Sequence, residues 1–325
     1  MMVEAATPRP RYALIDMGRG IALIAMVIYH AFWDLSYLRF FSVDVSADLG
    51  WVIFARTILA SFLFLVGVGL VLSHGKAIRW RTFWKRLAIL VAAAALITFA
   101  TVMVFPDAFV YFGILHAIAL FSLMALPFLR APLWLVVVVA LVIMALGWGY
   151  SDPFFNERAF SWLGFWTIPP LTNDLVPIFP WFGVVLGAIV TTRLLIASGR
   201  MATLDVVKAS NPPKRALAKL GRWTLVIYLV HQPLLLGALY PLSLVLRPGA
   251  EFQQQQFLSQ CQSTCLAGGT GPDQCTTYCQ CGLTGVIDND LWDGVNSGRP
   301  TPSEQAALNT ITQACSALIY PVAPK

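Results

Sequence analysis

The chain has 325 residues, 58% of them hydrophobic and only 12% charged, with a mean hydropathy of +0.71 and a formal net charge of +6. A soluble domain carries about 25% charge, so one is excluded here; apolar runs of about 20 residues also exclude a disordered chain, a collagen-like fibre and a secreted disulfide miniprotein. The strands of a transmembrane barrel would alternate apolar and polar over roughly ten residues, which leaves an all-α, polytopic membrane helical bundle.

Seven runs are long enough to cross a hydrocarbon core of about 30 Å: Ala13–Trp33, Trp51–Ser73, Leu87–Phe105, Phe109–Leu129, Leu133–Tyr150, Leu175–Thr192 and Trp223–Leu246. About seven transmembrane helices over residues 1–246 are therefore predicted. The first run reads as a retained helix rather than a signal peptide, because it holds Asp16 and Arg19 and no small-residue cleavage site follows Trp33.

Ionisable groups inside a membrane are costly and are functional candidates by default. Asp16 and Arg19, three residues apart, can pair along the helix surface. Arg19 and His30 are separated by close to three turns, so they project from one side about 16 Å apart. Asp34 lies one turn beyond His30 and is expected to bond a ring nitrogen and fix its tautomer. His74 closes the second span, where a solvated or headgroup-facing imidazole is expected. His116 and His231 fall in later spans. With Asp16 they are candidates to line a substrate path, His116 about 10 Å below the outer surface and His231 about 12 Å above the inner one. The bland alternative is a buried neutral imidazole satisfied by a carbonyl.

Lys and Arg mark the cytoplasmic loops. With the N-terminus inside, residues 1–12, 74–86, 130–132 and 193–222 hold fifteen bases against two acids, and the outer segments hold five bases against thirteen acids. The expected location is the inner (plasma) membrane, with a cytoplasmic N-terminus and a periplasmic or extracellular C-terminus. The sequence pI near 9.1 is then a signature of topology, and nucleic acid is set aside as a partner. The basic loops fix orientation and touch anionic lipid heads. In a second reading Lys76, Arg79, Arg81, Lys85 and Arg86, with Lys214, Arg215, Lys219 and Arg222, hold the phosphates of a cytoplasmic donor, Arg79, Arg81 and Arg222 foremost.

All six cysteines, Cys261, Cys265, Cys275, Cys279, Cys281 and Cys315, follow the last span. An even number in an oxidising compartment reads as a disulfide framework, so residues 247–325 form a small extracytoplasmic domain. Cys261 and Cys265 share one helix face, as do Cys275 and Cys279, and the glycine-rich stretch between is turn chemistry. The natural pairing of such a hairpin is Cys265 with Cys275 and Cys261 with Cys279, leaving Cys281 for Cys315, although six cysteines allow 15 connectivities. Thr301-Pro302-Ser303-Glu304 is a capping box that starts a helix carrying Cys315. The competing reading is a zinc or iron–sulfur site, for which histidine-containing or closer spacing is usual; no metal is expected.

Leu14-Ile15-Asp16, Arg19-Gly20 and His30 resemble the opening helix of transmembrane acyltransferases. With Phe112 to His116, Pro180-Trp181-Phe182-Gly183, and Gly221-Arg222 through Tyr228-Leu229-Val230-His231-Gln232-Pro233, the chain from about Arg11 to Leu236 is similar to bacterial membrane proteins grouped with the catalytic domain of heparan-alpha-glucosaminide N-acetyltransferase. The resemblance implies a bundle that moves an acyl group, usually acetyl, from cytoplasmic acetyl-CoA to an outward-facing glycan or lipid-linked sugar. It makes His30 the base and Arg19 a donor-side ligand or charge stabiliser, and the spacing of Asp34 from His30 adds a group to orient the ring. The alternative function is a transporter or permease whose buried Arg and His form a substrate or proton path. The absence of an internal repeat and the odd span count favour the enzyme.

Overall fold

The computed structural model describes residues 12–41, 43–200, 210–246, 248–297 and 300–319. The described elements are helical, apart from an isolated parallel bridge between Phe112 and Leu175. In order they are α1 (Ala13–Tyr37), α2 (Leu49–His74), α3 (Trp80–Val104), α4 (Ile114–Met124), α5 (Leu133–Gly149), a short α6 (Arg158–Ser161), α7 (Ile178–Ala197), α8 (Pro212–Arg222), α9 (Thr224–Leu246), α10 (Ala250–Ala267), α11 (Pro272–Asp288), α12 (Trp292–Ser297) and α13 (Pro302–Ile319).

Five of these, α1, α2, α3, α7 and α9, are long and apolar enough to cross a membrane. α4 and α5, with 11 and 17 residues, reach only about 16 and 25 Å at 1.5 Å per residue. The run expected over 109–129 is interrupted because its first part is extended. Asn173 N–H donates to the Ala108 carbonyl at 2.9 Å and Val176 N–H to that of Phe112 at 3.0 Å. Helix begins only after Gly113 and gives way to a 3-10 turn at Pro127–Leu129, where proline supplies no N–H to continue the ladder. α3 starts earlier than expected, at Trp80, and so carries Lys85 and Arg86 inside the helix.

α2 is the hub: it packs on α7 and α4, while α7 packs on α5 and α4 on α3. Leu63, Phe121, Phe182, Leu186 and Ile189 are almost wholly buried at that centre. α1 joins through Leu23 and Met26, which pack with Ile58 and Phe62 of α2. Phe99, Leu141 and Trp148 instead face outward at 64%, 61% and 78% exposure, which suits a protein whose solvent is lipid.

The loops of this bundle gather at two ends. At one, Arg130 Nη2 donates to the Lys76 carbonyl at 3.3 Å and Arg193 Nη1 to the Ala131 carbonyl at 2.6 Å. At the other, Arg158 Nη2 donates to the Asp107 carbonyl at 3.3 Å and Thr172 Oγ1 to that of Phe109 at 2.8 Å. His74, expected to be solvated, is buried at 3% exposure and its Nδ1 accepts from Arg79 N–H at 3.2 Å.

The chain divides into two compact units, Met1–Ser36 with Phe41–Leu239, and Tyr37–Phe40 with Tyr240–Lys325. In the second, α10 and α11 form the expected hairpin and α13 packs on α11. Disulfides join Cys261 to Cys279, Cys265 to Cys275 and Cys281 to Cys315, leaving no free cysteine among the described residues. The pairing follows from helix geometry: residues four apart stack on one face, so antiparallel helices bring the inner pair and the outer pair together. The capping box forms as read, with Thr301 N–H and Oγ1 donating to Glu304 Oε2 at 2.6 and 2.7 Å. These two bonds, the backbone one foremost, hold the Glu304 carboxyl below its ordinary pKa. Alkylation of the unreduced protein followed by mass spectrometry is expected to leave all six cysteines unmodified. Stoichiometric zinc, or thiols that react without reductant, would overturn the pairing.

Candidate functional site

α1 carries two polar centres. Near its first residues Arg19 Nη1 donates to Asp16 Oδ1 at 3.3 Å, the pair anticipated from their spacing. Room for the guanidinium is made by Gly69 of α2, where a Cβ would stand 3.3 Å from Arg19 Nη2. Arg19 lines a cavity of about 200 Å³ together with Arg86, Thr224, Tyr228 and apolar residues such as Phe62 and Leu90. Arg19 and Arg86 each lie six residues into their helix, about 9 Å from its start. Two cations thus converge on a largely apolar space. Asp16 partly offsets Arg19, while Arg86 forms no ion pair among the described residues.

Of the residues expected to hold donor phosphates, Arg79, Arg81 and Arg222 do not line this cavity and Arg86 does. In the sequence Arg86 is one of several bases of a basic loop, and nothing there singles it out from its neighbours. α3 draws it into the span.

The second centre lies toward the other end of α1. The His30 and His231 rings sit edge to face with centroids 4.9 Å apart, and Tyr29 lies against His30 at 5.6 Å. Counted from its span, His231 is expected about 12 Å above the inner surface, deeper than His30 near the outer end of α1, and the contact between the two rings corrects that depth. The reason is the elbow between α8 and α9. A methyl at Gly221 would overlap the Asp16 carbonyl, and one at Gly20 would overlap that of Leu217. Small residues let the backbones touch, so α9 begins already level with the Asp16–Gly20 turn of α1 and meets His30 within a few turns.

Asp34 is fully buried, and the partner of its Oδ1 is Gln232 Nε2 at 2.6 Å. The expected bond from His30 to Asp34 is absent; α9 supplies Gln232 in its place. His231 Nδ1 lies 2.7 Å from the Tyr228 carbonyl, which can only accept, so Nδ1 carries the proton and Nε2 the lone pair. Asp34 Oδ2, His231 Nε2 and Gln232 Oε1 are buried with no hydrogen-bond partner among the described residues. Three unpaired acceptors within one cluster are unusual, since most buried polar atoms are satisfied.

His116 is arranged differently. Its Nδ1 accepts from Gly113 N–H at 3.3 Å and its Nε2 faces Thr98 Oγ1 at 3.2 Å, while that hydroxyl donates to the Val110 carbonyl. Both ring nitrogens are therefore engaged in holding the start of α4 to α3. The same helix start is held by Asp174 Oδ2, which accepts from Ile114 N–H at 2.9 Å. Burial pushes the Asp174 carboxyl up to about 6, against the lowering effect of that bond.

A carboxyl whose folded pKa is raised above its unfolded value stabilises most at low pH, where both states are protonated. The contribution is lost as pH rises from about 4 to about 6, by up to about 3 kcal/mol before screening of the exposed edge. Asp174→Asn keeps an oxygen for Ile114 and removes the charge. Its melting temperature in detergent is expected to exceed that of the wild type at pH 7.5 and to match it near pH 4; equal melting temperatures at both pH values would refute this.

Among the described residues no group of three or more His, Cys, Asp or Glu is placed to hold a metal ion. No curated protein and no solved structure matches the chain. The sequence model of the family described as "Heparan-alpha-glucosaminide N-acetyltransferase, catalytic" matches residues 11–233, which include both polar centres and more than half of the chain. Several apolar membrane helices with Arg19 and Arg86 at one cavity and His30 beside His231 thus belong to an acetyltransferase-type membrane protein, and the chain is a member of the heparan-alpha-glucosaminide N-acetyltransferase catalytic-domain family.

Proposed function

We propose that the protein transfers an acyl group, acetyl first of all, from cytoplasmic acetyl-CoA to a hydroxyl or amine of an outward-facing glycan or lipid-linked sugar. The observation that carries this is α1 itself, with a cationic cavity toward one end and a histidine with no hydrogen-bond partner among the described residues toward the other. Acyl transfer from a thioester needs positive charge for coenzyme phosphates, a base to take the acceptor's proton, and a path between the two. Arg19 and Arg86 serve the first need, and His30, with Asp34 behind it, the second. Purified protein in lipid nanodiscs, given radiolabelled acetyl-CoA and isolated envelope glycan, should place label in the glycan. If the protein neither binds acetyl-CoA nor labels any acceptor, the better account is a transporter that uses the same buried groups and needs no thioester.

The orientation that fits this reading has the N-terminus inside and the C-terminus outside, with α4 and α5 completing seven crossings. In support, the 128–131 turn is tied to Lys76 and Arg193, while residues 107–109 are tied to Arg158 and Thr172. Counting five crossings leaves the termini on opposite sides as well. Reporter fusions active only outside the cytoplasm should work after Lys325 and fail within 74–79 or after Arg200; activity at a fusion after Arg200 would reverse the orientation.

A further inference from the structure

The buried groups around His30 are not explained by a single base. His231 is 8% exposed, donates from Nδ1 to the Tyr228 carbonyl, and leaves Nε2 beside the His30 ring without a partner among the described residues. Asp34 is sealed from solvent, and among the described residues its carboxylate is bonded only to the neutral amide of Gln232, the next residue after His231. An imidazole with one nitrogen tied to a carbonyl and the other a free, buried lone pair is prepared to accept a proton there. The carbonyl bond strengthens when the ring becomes charged. A buried carboxylate with no cation beside it is costly, and it becomes favourable when a neighbouring imidazole takes up positive charge.

We infer that His30 and His231 handle one proton as a pair, with His231 Nε2 as the inner acceptor and Asp34, clamped by Gln232, as the positioning group for the charged state. This rests on the acyltransferase reading for its chemistry. As the acceptor's oxygen or nitrogen forms its bond to the acyl carbon, its proton passes to His30 and is shared with His231. When the carbon–sulfur bond breaks, the thiolate sulfur takes that proton and leaves as the free thiol, so both rings return to neutrality. Among the described residues Tyr29 and Tyr228 are the other titratable groups with rings against the pair.

His231→Asn is the discriminating substitution, because its amide N–H reaches where Nδ1–H stood and can still bond the Tyr228 carbonyl, while nothing replaces Nε2. A histidine present only for structure tolerates this change. A proton acceptor does not, and transfer of label from acetyl-CoA to envelope glycan should fall about 100-fold or more, with acetyl-CoA binding retained. A variant that binds acetyl-CoA and transfers at the wild-type rate overturns the inference.

A second measurement does not depend on activity. Nitrogen NMR of the full chain in nanodiscs, with labelled histidine, should find His231 with Nδ1 protonated and Nε2 unprotonated. Acidification should move the His30 and His231 signals along one shared curve, which His231→Asn abolishes for His30. The opposite tautomer, or two independent curves, overturns the pairing even if the enzyme is active. A shared curve in a protein that transfers nothing leaves the pairing intact and overturns the acyltransferase reading instead.

Discussion

His30→Ala is expected to reduce acyl transfer by about 10²- to 10⁴-fold, the usual worth of a positioned general base, while the protein stays folded in the membrane. The imidazole is only half-buried and makes no hydrogen bond among the described residues, so its loss removes a proton carrier and little packing. Asp34→Asn should cost less. It removes the charge behind the rings but keeps an oxygen for Gln232 Nε2. Initial rates with labelled acetyl-CoA, compared at equal amounts of nanodisc-inserted protein, measure both. A His30→Ala protein that labels its acceptor as fast as the wild type excludes His30 as the base and leaves His231 the better candidate, because both nitrogens of His116 are occupied at the start of α4.

Arg19→Ala should act on the donor instead. A charged hydrogen bond is worth about 1.5–3 kcal/mol, so KM for acetyl-CoA should rise by about 10- to 100-fold with a smaller change in kcat. Arg86→Ala should behave in the same way, since the two guanidinium groups share one cavity. Arg19→Lys should restore only part of the loss if the contact is forked, because an ammonium is a point charge and cannot bridge two oxygens in one plane. An unchanged KM in both alanine variants would remove the cavity from donor binding.

The parts of this fold that are legible in the sequence follow one chain segment at a time. The long spans show as apolar runs, the Asp16–Arg19 pair and the hairpin disulfides as spacings of three and four, and the α13 cap as Thr301 with Glu304. What is not legible depends on segments meeting across the chain. The spans are apolar on nearly every side, so no polar stripe tells which face of α9 turns toward α1, and the meeting of Asp34 with Gln232 has no local signal. The shortening of α4 likewise comes from backbone bonds to residues 173 and 176, which hydropathy does not register.

The nesting of the disulfides bears on how the chain is made. Cys265–Cys275 lies wholly within Cys261–Cys279, so both bonds can close once residue 279 has emerged, ahead of everything that follows. Cys281 alone must wait for Cys315. A nascent chain halted before Cys315 therefore displays a single thiol on an already braced hairpin, a chemical mark by which an unfinished copy can be told from a finished one.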